Sequence, residues 1–446
     1  MGWLALVGKM LIVDLKGGKC TVSEHFWITQ KKKRPGAGGI GRTGPTAPRT
    51  SYQKSTWESC VDVLMKNLSW SSTAGAVVLV VSSLFFWVTP VASTTLQPPP
   101  PFAVAAYLPE WRYEGAHWET IAQHTTHLIL FSLEISPSGG ITAVDRFPRP
   151  SLYAEARTAT QQHNCKLLIC FGGNGRSSGF APMTRFKSTR TTFLNNLQRF
   201  MDKYQLDGVD YNWEYPGYQM GRGYLSPEKV EEEYRGLLDL LKETRQVLGT
   251  NKTITMSYYP DGRQEALLVK KEATKYVDLF HAMAYDKGGQ HSTMELFEKA
   301  TTQALSIFGP QHRANVTIGL PFYGRSVKTG DWKSYEDLVQ QNVLTNGMNQ
   351  INDQYFNGVD MIRQKVRHGV QQGVGGVMIW EVGQDCRVVE KKTGDVVHVV
   401  TCPKRNDSLL LAISKELATG TGSAPSAARR TRSGVDKTTI NDKEEL

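Results

Sequence analysis

The feature that most constrains the fold is a repeated alternation of short apolar runs with amphipathic stretches across residues 102–382. Each apolar run is rich in β-branched residues and has the length of one strand, whereas the stretches between them have helical spacing. This pattern is typical of a parallel sheet whose strands are joined by crossover helices. We count eight strands: Phe102–Leu108, His127–Leu133, Lys166–Phe171, Gly208–Trp213, Thr253–Tyr258, Val277–Ala284, Val316–Pro321 and Val374–Trp380.

Eight strand and helix repeats within about 320 residues predict a single (β/α)8 barrel, in which functional groups gather at the carboxyl ends of the strands. An open, doubly wound sheet is the alternative, but no predicted strand is followed by a GxGxxG turn. The predicted helices include Ser151–Asn164, Thr189–Tyr204, Pro227–Leu248, Thr293–Phe308 and Gln350–Gln371.

The charge is distributed unevenly along the chain, which has a formal net charge of +10. Residues 1–94 hold 11 Lys/Arg against 4 Asp/Glu, residues 95–417 hold 36 against 34, and residues 418–446 hold 5 against 4. The predicted barrel is therefore nearly neutral. A phosphate-binding surface needs clustered cations, so we expect no nucleic-acid partner.

The N-terminal region contains an uncharged, mostly apolar run at residues 74–92. Lys66 precedes the run, Met65 offers a start, and small residues lie before Thr94 as at a cleavage site. We interpret residues 65–93 as a signal peptide or a single-pass signal anchor and residues 94–101 as a Pro-rich linker. Residues 1–64 are expected to be a disordered or untranslated extension; if they are present, their cations favour the cytoplasmic side of the membrane.

The C-terminal residues 419–446 are small and polar without periodicity, which indicates a flexible tail. The tail ends in Lys443-Glu444-Glu445-Leu446, which resembles a KDEL-type retrieval signal of the endoplasmic reticulum. Together with the N-terminal signal, this ending predicts a protein of the secretory pathway. It would lie in the lumen of the endoplasmic reticulum, be secreted, or be held as a single-pass membrane protein.

Cysteines and glycosylation motifs are consistent with an oxidising compartment. Cys386 and Cys402 flank two β-prone runs that are symmetric about Gly394, so a hairpin would bring the thiols together as a disulfide. Cys165 and Cys170 are expected to be buried thiols. No Cys/His spacing resembles a zinc site. Glycan acceptor motifs occur at Asn251, Asn315 and Asn406.

The segment that carries the most chemical information is LDGVDYNWEYPGY, residues 206–218. Because side chains alternate along a strand, Asp210, Asn212 and Glu214 point to one side, and Tyr211 and Trp213 to the other. Three polar groups on one face at the end of a buried strand are costly unless they serve a polar pocket. The spacing alone leaves open catalysis, an exposed strand of another fold, and a metal site.

These residues resemble the DxxDxDxE signature of glycoside hydrolase family 18, the chitinases and their relatives. Asp207, Asp210, Asn212 and Glu214 occupy the signature positions, with Asn212 where the family usually has Asp. The resemblance extends from about residue 102 to residue 382. Further similar segments are Ala106-Tyr107, Cys170–Gly173, Met283–Asp286, Gly319–Arg325 and Gly376–Glu381.

The resemblance implies a role for each matching residue. Glu214 would be the general acid and then the base, Asn212 would hold the substrate's acetamido group, and Asp210 would support it from behind. Tyr285 and Asp286 would orient the acetamido group above an apolar floor formed by Trp380. Further candidates for substrate binding are Asp207, Met283, Tyr107, Tyr323 and Arg325.

The resemblance also implies the reaction. Family members hydrolyse β-1,4 bonds after N-acetylglucosamine with retention, and the sugar's own acetamido oxygen attacks the anomeric carbon. No metal or organic cofactor is therefore expected; the partner is an N-acetylglucosamine-containing glycan, either a chitin-like oligomer or the core of an N-glycan. We expect a monomeric barrel over residues 102–418.

Many members carry a small α+β insertion after the seventh strand that deepens the cleft. Here only about fifty residues separate Tyr323 from Met378. We expect one helix with its loops to fill this segment, so that the barrel lacks the insertion and has a shallow cleft.

The amide at position 212 leaves three functions open. The chain is a hydrolase with an altered electrostatic environment, a chitinase-like lectin that binds sugars without turnover, or a barrel that serves as a membrane-tethered scaffold. The intact Glu214 favours the hydrolase, because a pure binding protein would most simply have lost its proton donor.

Overall fold

The computed structural model describes residues 4–16, 19–31, 51–54, 102–393, 395–402 and 407–420. The chain divides into two compact units, Met1–Pro98 and Pro99–Leu446. The predicted signal segment, the Pro-rich linker and residues 421–446 with the terminal tetrapeptide lie outside the described residues. None of the described helices combines the length and the hydropathy that a bilayer span requires.

The first unit contains a three-stranded antiparallel sheet formed by Leu4–Lys16, Lys19–Lys31 and Ser51–Lys54, in that order. This differs from the disordered extension expected from the sequence. The first two strands flank a Gly-Gly pair, which is a hairpin signal between β-prone runs.

The second unit is a closed barrel of eight parallel strands. Each strand pairs with the next, and the eighth pairs with the first. This confirms the predicted (β/α)8 fold. The strands are β1 Ala103–Pro109, β2 His127–Ile135, β3 Lys166–Gly172, β4 Gly208–Asn212, β5 Thr253–Tyr258, β6 Leu279–Ala282, β7 Val316–Pro321 and β8 Gly376–Trp380.

Helices follow the strands and surround the barrel. The α-helices in the described part of this unit are α1 Trp118–His124, α2 Pro150–Gln162, α3 Phe180–Arg185, α4 Lys187–Tyr204, α5 Pro227–Leu248, α6 Arg263–Lys270, α7 Met294–Phe308, α8 Tyr335–Gln341, α9 Val359–Gln372 and α10 Leu409–Gly420. Four of the five predicted helices agree with these bounds to within a few residues.

The fifth predicted helix, Gln350–Gln371, is wrong in its first nine residues, since α9 begins at Val359. Asn352 has a left-handed backbone with φ 52°. Gly358 lies so close to the carbonyl oxygen of Met348 that a Cβ atom there would be 2.3 Å from it. The turn and this close approach place the segment in short strands and a loop, and the helix starts after them.

The segment between β7 and β8 is also more structured than expected. A four-stranded antiparallel sheet, in the order Trp332–Ser334, Tyr323–Ser326, Gln354–Tyr355 and Gln350–Ile351, accompanies the short helix α8. The expectation that a single helix and its loops fill the segment is therefore wrong. This small sheet continues directly from the carboxyl end of β7 and carries Tyr323 and Arg325.

Two layers of apolar packing support the barrel. The larger layer lies between the strands and the surrounding helices. A second, smaller cluster contains Tyr107, Phe131, Cys170, Tyr285 and Met378, together with Ala105, Ile129, Leu168 and Met283. Because alternate residues of a barrel strand face inward, we assign the smaller cluster to the barrel interior. It forms the base on which the polar residues at the carboxyl ends rest.

The C-terminal part of the unit is held by a disulfide and a buried carboxylate. Cys386 and Cys402 are bonded, with their Cα atoms 5.3 Å apart, across the antiparallel pair Val388–Thr393 and Asp395–Val400. Asp385 accepts hydrogen bonds from the Leu409 and Leu410 amides at the start of α10. Cys165 and Cys170 are buried free thiols.

Candidate active site

The strand β4 places the central polar residues. Asp210 and Asn212 are buried on its inner side, and Glu214 follows its carboxyl end. On the opposite side, the Tyr211 hydroxyl meets the Thr244 hydroxyl at 2.8 Å, and Trp213 stacks on Phe180 at 5.1 Å. The alternation read from the sequence is thus present in the structure: polar groups face the barrel axis and aromatic groups face the helices.

A cavity of about 280 Å³ opens at the carboxyl ends of the strands. Seven of the residues named from the sequence line it: Tyr107, Asn212, Glu214, Met283, Tyr285, Asp286 and Trp380. Asp210 lies behind them, fully buried. Within the described part of the chain, no cluster of His, Cys, Asp and Glu has a geometry that would hold a metal ion.

Glu214 is the carboxyl group best suited to give up a proton in this cavity. Burial raises its pKa to about 7, a hydrogen bond from Asn212 opposes the rise, and the negative charge of Asp286 adds to it. The Glu214 backbone amide donates to the Ser177 hydroxyl oxygen at 3.1 Å, which fixes the chain at this point. A carboxyl with this pKa is about half protonated near pH 7 and largely protonated in mildly acidic solution.

Asn212 has one satisfied and one unsatisfied polar atom. The hydrogen bond between its side chain and Glu214 uses the amide N–H, because it lowers the pKa of Glu214 and Oδ1 has no partner within the described residues. Its carbonyl oxygen Oδ1 is buried and has no hydrogen-bond partner within the described residues. A buried acceptor of this kind is costly until a donor reaches it. The cavity therefore offers a ready acceptor for an N–H group of a ligand.

Asp210, which lies behind the cavity, has three side-chain hydrogen-bond partners. Its Oδ2 accepts from the Tyr107 hydroxyl at 2.9 Å and its Oδ1 from the Thr255 hydroxyl at 2.6 Å. The Cys170 thiol is a further partner. Burial raises the pKa of Asp210, and these donors oppose the rise. Asp210 thus supports the site without reaching the cavity.

Asp286 projects into the cavity from the segment after β6. Its Oδ1 accepts from the Tyr323 hydroxyl at 2.7 Å and from Arg325 Nη1 at 3.0 Å. The residue has a left-handed backbone with φ 63°, which turns its side chain toward the mouth of the barrel. Tyr323 and Arg325 do not line the cavity; they hold the carboxylate that does.

Trp380 provides an aromatic surface at the end of β8. Its ring lies 4.7 Å from the ring of Phe131, nearly perpendicular to it, and 5.6 Å from the ring of Tyr107. These contacts fix the indole, whose remaining exposed surface lines the cavity. Such a surface suits the apolar face of a sugar ring.

Asp207 does not belong to this site, so its assignment as a substrate-binding residue is wrong. It precedes β4 and therefore lies at the amino end of the barrel, away from the cavity. Its carboxylate binds Arg157 Nη1 at 2.6 Å and the Leu167 amide at 2.9 Å. Asp207 thus joins β4 to β3 and α2.

Several lining residues were not assigned to the cavity from the sequence. Six of them lie at or just beyond the carboxyl ends of β1, β3, β4 and β5, namely Trp111, Asn174, Arg176, Tyr215, Ser257 and Tyr259, and the seventh, Phe131, lies within β2. Arg176 pairs with Glu110 at 2.6 Å and lies over the ring of Trp111. The barrel rule alone, applied to every predicted strand end, would have indicated these positions.

A (β/α)8 barrel with a carboxyl of raised pKa beside an aromatic surface fits the glycoside-hydrolase class of barrel proteins. The family model described as "Glycosyl hydrolases family 18" matches residues 103–385. The chain belongs to this family. The match covers the whole set of barrel strands and all the residues that line the cavity.

Relatives and solved structures agree with this assignment. The chain is 23% identical over 316 residues to probable chitinase 2 of Drosophila melanogaster, covering 54% of this chain and 61% of the relative. It is 24% identical over 288 residues to chitinase A1 of Niallia circulans, covering 50% and 41%. The chain thus spans less than two thirds of these curated relatives.

Among solved structures, a chitinase from Bacteroides thetaiotaomicron superposes with a TM-score of 0.58 at 19% identity, covering 73% of this chain and 99% of that chain. The Group IV chitinase of Ostrinia furnacalis in complex with allosamidin superposes with a TM-score of 0.55 at 18% identity, covering 72% and 99%. At this identity the two structures support the barrel fold alone.

Proposed function

We propose that the protein hydrolyses β-1,4-linked N-acetylglucosamine glycans by a substrate-assisted, retaining mechanism. The observation that carries the proposal is the pairing of two groups at the cavity. Glu214, with a pKa of about 7, can supply a proton, and the unpartnered Oδ1 of Asn212 can accept an acetamido N–H. Glu214 protonates the leaving group, and Asn212 positions the acetamido group that attacks. The reaction therefore needs no protein nucleophile.

In the first step, the acetamido oxygen of the sugar attacks its own anomeric carbon while Glu214 protonates the glycosidic oxygen. The bond to the leaving sugar breaks, and a positively charged oxazolinium ion remains. Asn212 holds the acetamido N–H, and Asp286 and Tyr285 orient the group over Trp380. In the second step, Glu214 takes a proton from water as the water oxygen attacks the anomeric carbon. The bond from this carbon to the acetamido oxygen breaks, and its electron pair returns to the acetamido group, which becomes neutral again. The two inversions at this carbon give net retention.

With Asn at position 212, the reaction should be slower than at the same site with Asp at this position. Its carbonyl positions the attacking group, but a neutral amide supplies no charge to balance the developing cation. Losing one preorganised electrostatic partner costs about 2 to 4 kcal/mol, or a factor of roughly 10² to 10³ in rate. The neighbouring negative group at the cavity is Asp286.

The substrate class follows from the cavity and from the relatives. The curated relatives are named as chitinases, and a solved Ostrinia furnacalis chitinase domain is described as a complex with an N-acetylglucosamine oligomer. An aromatic floor and an acceptor for an acetamido N–H fit this sugar. We propose chitin-like oligomers or the core of N-glycans as substrates.

A second candidate function is a lectin that binds the same sugars without turnover. Asn212 is the observation that favours it, because the amide keeps the acetamido contact and removes the electrostatic one. The two candidates bind the same ligand and differ in the role of Glu214.

The experiment compares hydrolysis of chitotetraose and of a fluorescent chitobioside by the full-length protein and its Glu214→Gln variant. The hydrolase predicts measurable turnover that falls to background in the variant while chitotetraose binding persists. Equal background rates with retained binding would establish the lectin. Glu155→Gln, an exposed change on α2, is the matched control and should leave turnover unchanged.

We also propose that the protein enters the secretory pathway. The bonded Cys386–Cys402 pair supports this, since disulfides persist in oxidising compartments. Amino-terminal sequencing of the native protein tests it. A mature terminus near Thr94, or a glycan at exposed Asn251 that a glycosidase removes, is the expected result. An unmodified protein in a reducing compartment would overturn the proposal.

A further inference from the structure

A buried polar network lies beneath Asp286 and is not used in the mechanism above. It consists of His291, Ser292, Asn357 and Lys365, which we call the His291 network. His291 is 1% exposed, and its Nδ1 lies 3.9 Å from Asp286 Oδ1. This nitrogen has no hydrogen-bond partner within the part of the chain that the structure describes. The buried Nδ1 of His291 thus lies near the Asp286 carboxylate but beyond hydrogen-bond distance.

The ring of His291 is fixed in this direction by its neighbours. It stacks on the ring of Tyr323 at 5.1 Å, and the ring of Tyr355 meets it edge-on at 6.0 Å. Its Nε2 lies 3.3 Å from the Ser292 hydroxyl. If Ser292 donates to Nε2, the imidazole proton resides on Nδ1 and faces Asp286.

The backbone that carries His291 is fixed as well. Lys365 on α9 donates its buried ammonium to the Ser292 carbonyl at 2.7 Å and to Asn357 Oδ1 at 2.6 Å. Asn357 donates to the same carbonyl at 3.0 Å and to the Ser292 hydroxyl at 3.1 Å. A buried set of hydrogen bonds of this kind is rigid, so packing determines the position of Nδ1.

The charges that face His291 favour its neutral form. Burial lowers its pKa to about 4; the negative charge of Asp286 and a hydrogen bond to the Tyr355 backbone carbonyl oppose this, while Lys365 and Arg325 add to it. When the Ser292 hydroxyl donates to Nε2, the single N–H of the neutral ring lies on Nδ1, and the Tyr355 carbonyl and Asp286 are its two candidate acceptors. His291 can therefore donate to the carboxylate without adding a positive charge to the cavity.

We propose that His291 is a positioning residue that donates Nδ1–H to Asp286 when a sugar occupies the cavity. Because the His291 ring is fixed, the half-exposed Asp286 side chain is the group that moves, and it closes the separation from 3.9 Å to hydrogen-bond distance. It completes a set of three donors, with Tyr323 and Arg325, around one carboxylate. Asp286 is then held toward the acetamido group and at a fixed distance from Glu214. This inference rests on the proposed function and assigns a supporting residue to the same site.

The test uses two variants at position 291 in the full-length protein. His291→Phe keeps the ring stacked on Tyr323 and removes the donor, whereas His291→Asn places an amide N–H close to the position of Nδ1. We expect His291→Phe to lower kcat for chitotetraose at least tenfold with less than a threefold change in KM. His291→Asn should restore kcat to within about threefold of wild type. His368→Phe is the matched control, because His368 on α9 likewise packs against an aromatic ring near a carboxylate but lies outside the cavity.

A double-mutant cycle separates positioning from a structural role. In an Asp286→Asn background, His291→Phe should cause no further loss of kcat, since the partner of the hydrogen bond is already changed. Equal fold-losses in both backgrounds, or an equal loss for His291→Asn and His291→Phe, would overturn the inference. Thermal unfolding of each variant shows whether a loss of activity reflects a loss of folding.

Failure of the inference is distinguishable from failure of the proposed function. An active wild type with an unimpaired His291→Phe variant contradicts the inference alone. If the wild type does not hydrolyse chitotetraose, the same cycle is read from calorimetric binding of chitotetraose. His291→Phe should then weaken binding measurably, within the threefold limit set for KM, and only when Asp286 is present; unchanged binding would overturn the inference.

Discussion

At the carboxyl end of β4, the side chains of Asn212 and Glu214 share one hydrogen bond, and each keeps a function directed at the cavity. The amide N–H is used for Glu214, which leaves Oδ1 without a partner. Burial keeps Glu214 protonated up to a pH near its pKa of about 7. The same low polarity that raises this pKa also strengthens any hydrogen bond that a ligand makes to Asn212.

The pH dependence of hydrolysis should report the protonation of Glu214. Because only the protonated form acts as the acid, kcat/KM should fall about tenfold for each pH unit above about 7. Asp286→Asn removes a negative charge that raises this pKa, so the ionised form becomes easier to reach and the fall should begin at lower pH. Rate profiles from pH 4 to 9 on the fluorescent chitobioside measure both.

Glu381→Gln is the control for this profile. Burial raises the pKa of Glu381 to about 7 as well, but its carboxylate binds Arg112 and the Gly383 amide outside the cavity. The alkaline limb should therefore remain in place in this variant. If the alkaline limb disappears in Glu381→Gln and does not shift in Asp286→Asn, the titrating group is Glu381 and the assignment to Glu214 is contradicted.

Asn212→Asp tests the electrostatic cost of the amide. A carboxylate at this position keeps an acceptor for the acetamido N–H and adds the charge that balances the oxazolinium ion. We expect kcat to rise roughly 10² to 10³-fold if the full electrostatic benefit is recovered. Steady-state kinetics on chitotetraose measure it. An unchanged or lower kcat at every pH would mean that the surroundings have adapted to the amide.

At the scale of the elements, β4 has a different role at each of its ends. Its carboxyl end delivers Asn212 and Glu214 to the cavity, and at its amino end Asp207 joins neighbouring elements through Arg157 and the Leu167 amide. The five-residue strand spans about 16 Å at 3.3 Å per residue, which separates the two functions. One motif therefore contains residues that line the cavity and residues that join neighbouring elements.

Asp207→Ala should lower stability and leave catalysis intact. The change removes a charged hydrogen-bond acceptor from Arg157 and from a backbone amide, which we expect to cost about 1 to 2 kcal/mol. Thermal unfolding and kcat/KM on chitotetraose measure the two effects separately. A large loss of kcat/KM in a variant with unchanged stability would return Asp207 to the site.

The helices and strands also show how much of the fold and of the candidate site can be predicted from the sequence. All eight strands were predictable, because buried parallel strands are continuous apolar runs. The β4 residues were predictable because strand alternation is strict. The start of α9 was not, since its position depends on the close approach of Gly358 to Met348, a tertiary contact. Arg176 and His291 were missed for a similar reason: only the closed barrel brings them beside Trp111 and Asp286.

At the scale of the whole molecule, the barrel is closed by the pairing of β8 with β1 and is followed by a disulfide-linked hairpin and α10. Glu416 on α10 binds Arg363 and Arg367 on α9. Asp385 holds the start of α10 next to the disulfide. The last helix and the barrel are thus linked by charges, by backbone hydrogen bonds and by one covalent bond.

Replacing both Cys386 and Cys402 by Ser should destabilise the protein without changing its chemistry. The bond closes a loop with a sequence separation of 16, for which the loop-entropy model gives about 3 kcal/mol. Because neither cysteine lines the cavity, kcat/KM should stay within about twofold of wild type. Thermal unfolding of the variant measures the loss. An unchanged unfolding temperature would show that the disulfide adds nothing to the stability of the whole.

The most direct test of the substrate-assisted mechanism is the configuration of the first product released from chitotetraose by the full-length protein. Proton NMR, recorded before mutarotation, distinguishes the two anomers at the new reducing end. The account predicts the β anomer, formed through two successive inversions, and no signal above background for Glu214→Gln. Initial release of the α anomer, or equal product formation by the variant, would contradict it.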